Sequence, residues 1–497
     1  MYGMPSNFRW RRYQLEVIEY ALKAFRKGYR NVLIDAPTGF GKSLVNYCIA
    51  REMGSAFYTT PQVVLLDQIE KDPLLDIAVV KGRSNYPCLV DRNKTAANGR
   101  CIINRRFRCQ EACPYKLAKR KAMEHPIAAM SFAYLIYDRF LPEEYSFGNR
   151  KLIIVDEADD IESWAEEFGS FKFRVNQDFN DIDDVIAWAH AVLKNVNRRI
   201  AELEVLDELT EKEAEELDRL RKYAIKLSVF LRKVEENRRN WVFEKEGDYL
   251  VVKPVNVGDI VNELIWSRGE YRLASSATII DREMFCRTTG LNPKETVIIK
   301  VPAIFKKENR PVYYCPVAKM TKEERENGYD RIVGVIEKIA ERHKGEKGLI
   351  HAHSYEIARE IYRRLSVDRR VIIHDSSSRD RMFREFSEAK DDAVFISVGF
   401  NRGVDLKYDQ CRWQVITKVP FPDQADIRVR ELWVNRKAWK WARYQAVKNL
   451  VQACGRIVRA EDDYGITYIL DESFGHLFRY KREFPAWFVE AVSEVEV

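Results

Sequence analysis

"DAPTGFGKS", Asp35 to Ser43, follows the apolar run "NVLI" (31–34) and leads into a segment with helical spacing. Strand, glycine-rich loop and helix, in that order, let backbone N–H groups wrap a phosphate while the helix aims its positive N-terminus at it. The stretch matches G-x-x-x-x-G-K-S/T with Ala36 at the first glycine position. Thr38, Gly39 and Gly41 make the cradle, Lys42 is placed for the β- and γ-phosphates, and Ser43 for Mg²⁺. A chance glycine-rich turn has no reason to carry a strand before it and a helix after it.

Such a loop needs acids, and "LIIVDEAD" (152–159) supplies them. Asp156, at the end of a buried strand, can hold Mg²⁺, and Glu157 can polarise an attacking water. "QACGRIVRA" (452–460) supplies cations. Arg456 and Arg459 are three apart and share a helix face that can reach a γ-phosphate across a cleft, with Gln452 one turn earlier.

The chain has 497 residues, enough for two to four domains, and 46% are hydrophobic, enough for sizeable cores. No run of eighteen or more apolar residues occurs and "MYGMPSNFRWRRYQ" has no apolar centre, so neither a membrane helix nor a signal peptide is expected and an intracellular location is. The net charge is +7, yet Lys81 to Lys121 holds twelve Lys/Arg against Asp91 and Glu111, or +10. That block suits either a polyanion partner or a solvated surface. An odd cysteine count, nine, speaks against a disulfide framework. Four of them, Cys88, Cys101, Cys109 and Cys113, fall inside the basic block, which is too polar for a core. Their thiolates suit an iron–sulfur cluster or zinc, and only Cys109 and Cys113 have the spacing of a zinc pair.

Strands alternating with helices at both ends of the chain predict parallel α/β sheets. Between Trp164 and Asn240 the pattern becomes long, charged and helical, with a capping box at Thr210 and Glu213. Two helices and a β-hairpin, "WVFEKEGDYLVVKPV", turning at Glu246–Asp248, are expected there. Trp433, Trp439, Trp441 and Tyr444 could stack bases, but their spacing reads as packing beside a solvated face. His351 and His353 read as strand or core residues rather than metal ligands.

The ordered set of motifs resembles superfamily-two DNA helicases of the XPD/DinG type. "RRYQ" (11–14), with Gln14 as adenine reader, is followed by "APTGFGKS" as motif I and "YTTPQVVLLDQ" (58–68) as motif Ia. "DEAD" (156–159) stands as motif II, "LASSAT" (273–278) as III and "LIHAHSY" (349–355) as IV. "SVGFNRGVDL" (397–406), with Gly403 and Asp405 toward the nucleotide, is motif V, and "QACGRIVR" (452–459) is motif VI. "VITKVPFPDQ" (415–424) is close to the same subfamily. The resemblance implies an α/β fold of two RecA-like parallel-sheet P-loop domains, with an iron–sulfur insertion and a helical arch insertion in the first. The first domain would comprise 1–80, 118–162 and 258–285, the cluster insertion 81–117, the arch 163–257 and the second domain 286–497.

The same resemblance implies ATP and Mg²⁺ between the domains and one 4Fe–4S cluster on Cys88, Cys101, Cys109 and Cys113. It implies 5′→3′ translocation on single-stranded DNA and unwinding of tailed duplexes in DNA repair, by a monomer with no membrane partner in a prokaryotic cytoplasm or nucleoid. One departure stands out: the family usually has DEAH where this chain has DEAD. Neither Mg²⁺ nor the water touches that last position, but coupling to motif III would feel it. DEAD also raises an RNA helicase as the alternative, against which the insertions argue. A DNA-bound redox-sensing scaffold with weak ATPase is a third reading.

Overall fold

The computed structural model describes residues 2–104, 106–109, 113–399, 406, 408–458, 460 and 462–496. The run before the phosphate loop forms β1 (Asn31–Asp35), buried along its whole length. It is joined by β2 (Ala56–Thr60), β3 (Ala78–Val79), β4 (Ile127–Ser131) and β5 (Arg150–Asp156). After β5 the chain leaves this sheet for β6 (Phe171–Arg174), helices Ile182–Val205 and Glu211–Glu236, β7 (Trp241–Glu246) and β8 (Tyr249–Pro254). It returns as β9 (Gly269–Ser276) and β10 (Thr296–Lys300).

The first sheet runs β10-β1-β9-β5-β2-β4-β3 with parallel pairing throughout. Strands buried on both faces need near-continuous apolar runs, which "NVLI" and "LIIV" supply. The order sets β9 between β1 and β5, so the phosphate loop, the DEAD segment and "LASSAT" emerge side by side at the carboxyl ends of three adjacent strands. Ligands of open α/β sheets bind at such strand ends.

One expectation is corrected. A boundary at 285 would put Thr296–Lys300 in the second domain, but these residues pair with β1 from Asn31↔Thr296 to Asp35↔Lys300. The first lobe therefore continues through β10. A pairing across some 265 positions leaves no mark in local periodicity.

The second sheet contains β11 (Val312–Ala318), β12 (Gly348–His351), β13 (Val371–Ile373), β14 (Val394–Ser397), β15 (Trp413–Ile416), β16 (Ile466–Asp471) and β17 (Val492–Glu494). Its order is β13-β14-β12-β15-β16-β11-β17, again parallel. A small antiparallel sheet, β6-β8-β7, sits at the base of the inserted helices. The expected hairpin is β7–β8, with Gly247 at φ 59 in the turn. β6 was missed, since four residues are too few to show a period.

The second inserted helix starts with the expected capping box, in which Glu213 N–H donates to Thr210 Oγ1 (3.2 Å) and Thr210 N–H to Glu213 Oε2 (2.8 Å). Arg199 and Arg221 of one helix or the other pair with Glu216 and Glu204 across the hairpin. The hairpin tip meets the cysteine-bearing segment: Leu209 N–H donates to Ile103 O (2.8 Å), Lys94 pairs with Glu211 (2.5 Å), and Leu203, Leu209 and Leu217 pack with Ile102 and Ile103.

Under the first sheet, Arg268 Nη2 donates to Asp138 Oδ2 at 2.7 Å, each residue 2% exposed. Asp138 also accepts from Ser146 Oγ (2.9 Å) and Phe147 N–H (3.0 Å). Arg268→Met would leave that carboxylate buried without its cation. It is expected to cost the first lobe about 3–5 kcal/mol, read as an earlier first transition in urea unfolding followed by circular dichroism.

Candidate active site

The phosphate loop is held open by its glycines and gripped from outside. Gly39 and Gly41 take φ of 79 and 86, left-handed values that suit residues without a Cβ. A side chain at Gly41 would also meet Gln14 Nε2 at 2.6 Å. Gln14 is buried and donates to Phe40 O (2.8 Å), and Arg11 Nη1 donates to Gly39 O (2.5 Å). Arg11 N–H in turn donates to Gln14 Oε1 (2.9 Å). Gln14 thus lies directly on the loop. Lys42 and Ser43 open the helix Lys42–Met53, and Thr38 lines a small pocket with Ile304, Cys454 and Gly455.

At the end of β5, Asp156 accepts from Tyr58 OH (2.5 Å) and Ser275 Oγ (3.0 Å). Asn46, on the phosphate-loop helix, donates to Ser275 Oγ (2.7 Å), and Ser43 hydrogen-bonds Tyr58. The two residues assigned to Mg²⁺, Ser43 and Asp156, are therefore tied through one phenol. Burial, and then the Asp156 charge, push the Tyr58 hydroxyl well above its usual range, so it stays a donor. Sequence reading missed Tyr58, Asn46 and Ser275 as orienters. Ser275 lies inside "LASSAT" and Tyr58 opens "YTTPQVVLLDQ", which were the available signals; Asn46 gives none.

Glu157 sits in a left-handed conformation (φ 51, ψ 50), and its N–H donates to Asp156 Oδ1 (3.1 Å). Non-glycine residues held there mark sites where the surroundings dictate the backbone. Burial pushes the Glu157 carboxyl up to about 7, with Asp159 and Asp156 adding to the rise. Lys42 from the first lobe and Arg456 from the second pull it down, so Glu157 lies within reach of cations from both lobes. Nearby, burial raises Asp35 to about 6 against the attraction of Lys300.

Asp159 joins the lobes. Its carboxylate accepts from the Ser276 hydroxyl and from the Gln452 amide, and its carbonyl accepts from Lys448 Nζ (3.2 Å). Thr278 N–H donates to the same Ser276 hydroxyl (3.2 Å). "DEAD", "LASSAT" and "QACGRIVR" thus meet on one side chain. A carboxylate can accept both donors, whereas a neutral imidazole has a single acceptor nitrogen. Of the other expected contributors, Gly403, Asp405 and Arg459 lie outside the described residues.

The four cysteines of the basic segment are partly exposed. Burial raises the Cys101 thiol, and Cys109, Cys113 and Cys88 all add to the rise, so the four lie within electrostatic reach of one another. A side chain at Gly99 would meet Cys88 Sγ at 2.8 Å, which keeps one wall of the cluster clear of a Cβ. Among the described residues, no three His, Cys, Asp or Glu side chains are already gathered as a metal site. The aromatic stretch is mostly packed: Trp441 and Tyr444 are buried, Trp441 Nε1 donates to Glu162 (3.0 Å), and Trp439 is exposed. His351 is buried beside Gln414, and burial lowers it to about 4.

Asp159→Ala removes the acceptor shared by Ser276 and Gln452 while sparing Lys42, Ser43 and Asp156. ATP binding is expected to stay within about twofold while turnover falls about tenfold or more, measured by steady-state hydrolysis beside equilibrium nucleotide titration.

Two family models match the chain: "Type III restriction enzyme, res subunit" over residues 7–163 and "Helicase C-terminal domain" over 336–491. A probable ATP-dependent helicase of Methanocaldococcus jannaschii is 25% identical over 263 residues, or 47% of this chain and 39% of that protein. The ATP-dependent DNA helicase DinG of Photobacterium profundum is 26% identical over 251 residues, or 46% of this chain and 35% of that one. The match thus spans well under half the length of each relative. A solved XPD helicase superposes with a TM-score of 0.66 at 17% identity, over 98% of this chain and all of that one. The Xpd4 structure of S. tokodaii gives 0.59 at 15% identity, also over 98% of this chain and all of that one. The chain is thus similar to ATP-dependent helicases of the XPD/DinG type and shares the two-lobe fold of the solved XPD structures.

Proposed function

We propose that this chain is an ATP-dependent translocase on single-stranded DNA and a DNA helicase, travelling 5′→3′. The observation that carries the reading is Glu157, next to Asp156 and within electrostatic reach of both Lys42 of one lobe and Arg456 of the other. In-line attack of water on a γ-phosphate calls for such an acid together with cations that can stabilise the developing charge. In this reading Lys42 holds the β- and γ-phosphates, Ser43 and Asp156 hold Mg²⁺, and Glu157 takes a proton from the water. Arg456, with Arg459, stabilises the transition state, Gln14 reads the adenine, and Gly403 and Asp405 complete the nucleotide side of the second lobe. Closure draws Gln452 onto Asp159 and so couples the chemistry to lobe movement. The relatives' names, an ATP-dependent helicase and an ATP-dependent DNA helicase, support the same assignment.

Cys88, Cys101, Cys109 and Cys113 would hold a 4Fe–4S cluster, and their mutual electrostatic reach and the clear wall at Gly99 suit that group. Bound there, the cluster supplies a covalent staple for a basic, loop-rich segment. The segment's positive charges then grip phosphates without reading bases.

Unwinding of 5′-tailed, 3′-tailed and forked DNA duplexes tests the reading. Opening of the 5′-tailed and forked substrates alone is expected; greater ATPase stimulation by single-stranded RNA than by DNA would replace it with an RNA helicase. Lys42→Ala is expected to abolish hydrolysis. Glu157→Gln, which leaves Asp156 to hold Mg²⁺, should still bind ATP but lose about a hundredfold or more in turnover; hydrolysis at the wild-type rate would remove Glu157 from the mechanism. Anaerobically purified protein should carry about four irons per chain, and Ser at any of the four cysteines should bleach it. One zinc and no iron would make the segment a zinc module.

A further inference from the structure

Helix Trp439–Cys454 turns a single stripe toward the first lobe: Trp441, Gln445, Lys448 and Gln452 are spaced four, three and four apart and share a face. The last two meet Asp159. The first two meet Glu162, three residues further along on the helix Ile161–Gly169, through Trp441 Nε1 (3.0 Å) and Gln445 Nε2 (2.7 Å). No helicase motif includes Glu162, and nothing in the hydrolysis scheme uses it.

Arg428 of the second lobe completes the junction. Its Nη2 donates to Glu162 Oε1 (2.7 Å), its Nη1 to Glu166 Oε2 (2.9 Å) and its Nε to Val255 O (3.0 Å). Val255 is the residue after β8, where the inserted sheet hands the chain back to the first lobe. One planar guanidinium therefore holds the DEAD helix, the root of the arch and the second lobe at a single point. Glu162 and Arg428 are 4% and 5% exposed. Burial alone would raise the Glu162 carboxyl; Arg428 and Lys448 outweigh it and hold it below its usual range. Lys253, on β8, adds a second tie by pairing with Glu166 and with Asp426.

We infer that Glu162 and Arg428 are positioning residues that set the register of the motif VI helix on the DEAD helix and make the arch sheet follow the second lobe. Resting on the ATPase reading above, the inference adds what that reading lacks, a link from lobe rotation to the arch. The stripe that reaches Glu162 continues to Gln452 and ends just before Arg456, so a slip at Glu162 displaces the finger. The bond to Val255 ties the second lobe to the root of the arch.

Two variants and a distance measurement test it. Glu162→Gln keeps the shape but turns an N–H₂ toward the donors; turnover with single-stranded DNA is expected to fall about tenfold with the KM for ATP within about twofold. Arg428→Lys keeps the charge but lacks the three-way fork; duplex unwound per ATP hydrolysed is expected to fall about fivefold or more, beyond any loss in hydrolysis itself. Spin labels at exposed Tyr249 on the arch sheet and exposed Tyr480 on the second lobe should give one narrow distance, with or without a non-hydrolysable ATP analogue, and a broadened one in Arg428→Lys. Wild-type turnover in Glu162→Gln, or an unchanged distance distribution in Arg428→Lys, overturns the inference. So does a parallel loss of kcat, KM and melting temperature, which would assign the pair to the fold alone. The distance arm needs no catalysis. Failure of wild-type protein to hydrolyse ATP with any nucleic acid would sink the ATPase reading and leave the arch coupling to be judged separately.

Discussion

"DEAD" and "LASSAT" of the first lobe meet "QACGRIVR" of the second on the carboxylate of Asp159. It accepts from the buried Ser276 within its own lobe and from the half-buried Gln452 of the other, and both bonds are charge-assisted. Such bonds contribute roughly 1.5–3 kcal/mol each, enough to favour a closed cleft without locking it. The cleft lies around Glu157, whose backbone is held in a left-handed conformation. The pair Asp156–Glu157 is fixed by the sheet; what remains free to vary is the distance of the second lobe.

The parts of this site that are contiguous in the chain could be read from it. Asp35 to Ser43 carries strand, loop and helix within nine residues, and each residue's chemical task follows from its place in that run. The same holds for the capping box at Thr210 and for the β7–β8 hairpin. What could not be read are side chains that act through the sheet. Tyr58 reaches Asp156 because β2 is the neighbour of β5, and Ser275 does so because β9 is its other neighbour. Neither adjacency is written in local periodicity. Trp441 shows the same limit from the other side: its spacing identified it as packed, yet only the tertiary structure reveals that its indole N–H faces a carboxylate 279 positions away.

The departure from DEAH to DEAD also becomes intelligible in physical terms. At this position a short anionic side chain meets a hydroxyl and an amide, both of which need an acceptor. The candidate Mg²⁺ ligands Ser43 and Asp156 are tied together separately, through Tyr58. The Asp159 charge acts on the contact between the lobes and, together with burial, helps to raise the Glu157 carboxyl.

The placement of β10 in the first sheet has a polymer-physics consequence. Only residues 301–311 separate β10 from β11, so eleven residues connect the lobes. Fully extended they could span no more than about 40 Å. A tether that short keeps the two faces at an effective concentration on the order of millimolar. Contacts too weak to hold separate molecules together are then sufficient to close the cleft, and because they are weak they can release it in every cycle. The strand that was hidden from sequence reading is thus what turns lobe association into a unimolecular equilibrium, with a rate and a population that a few hydrogen bonds can tune.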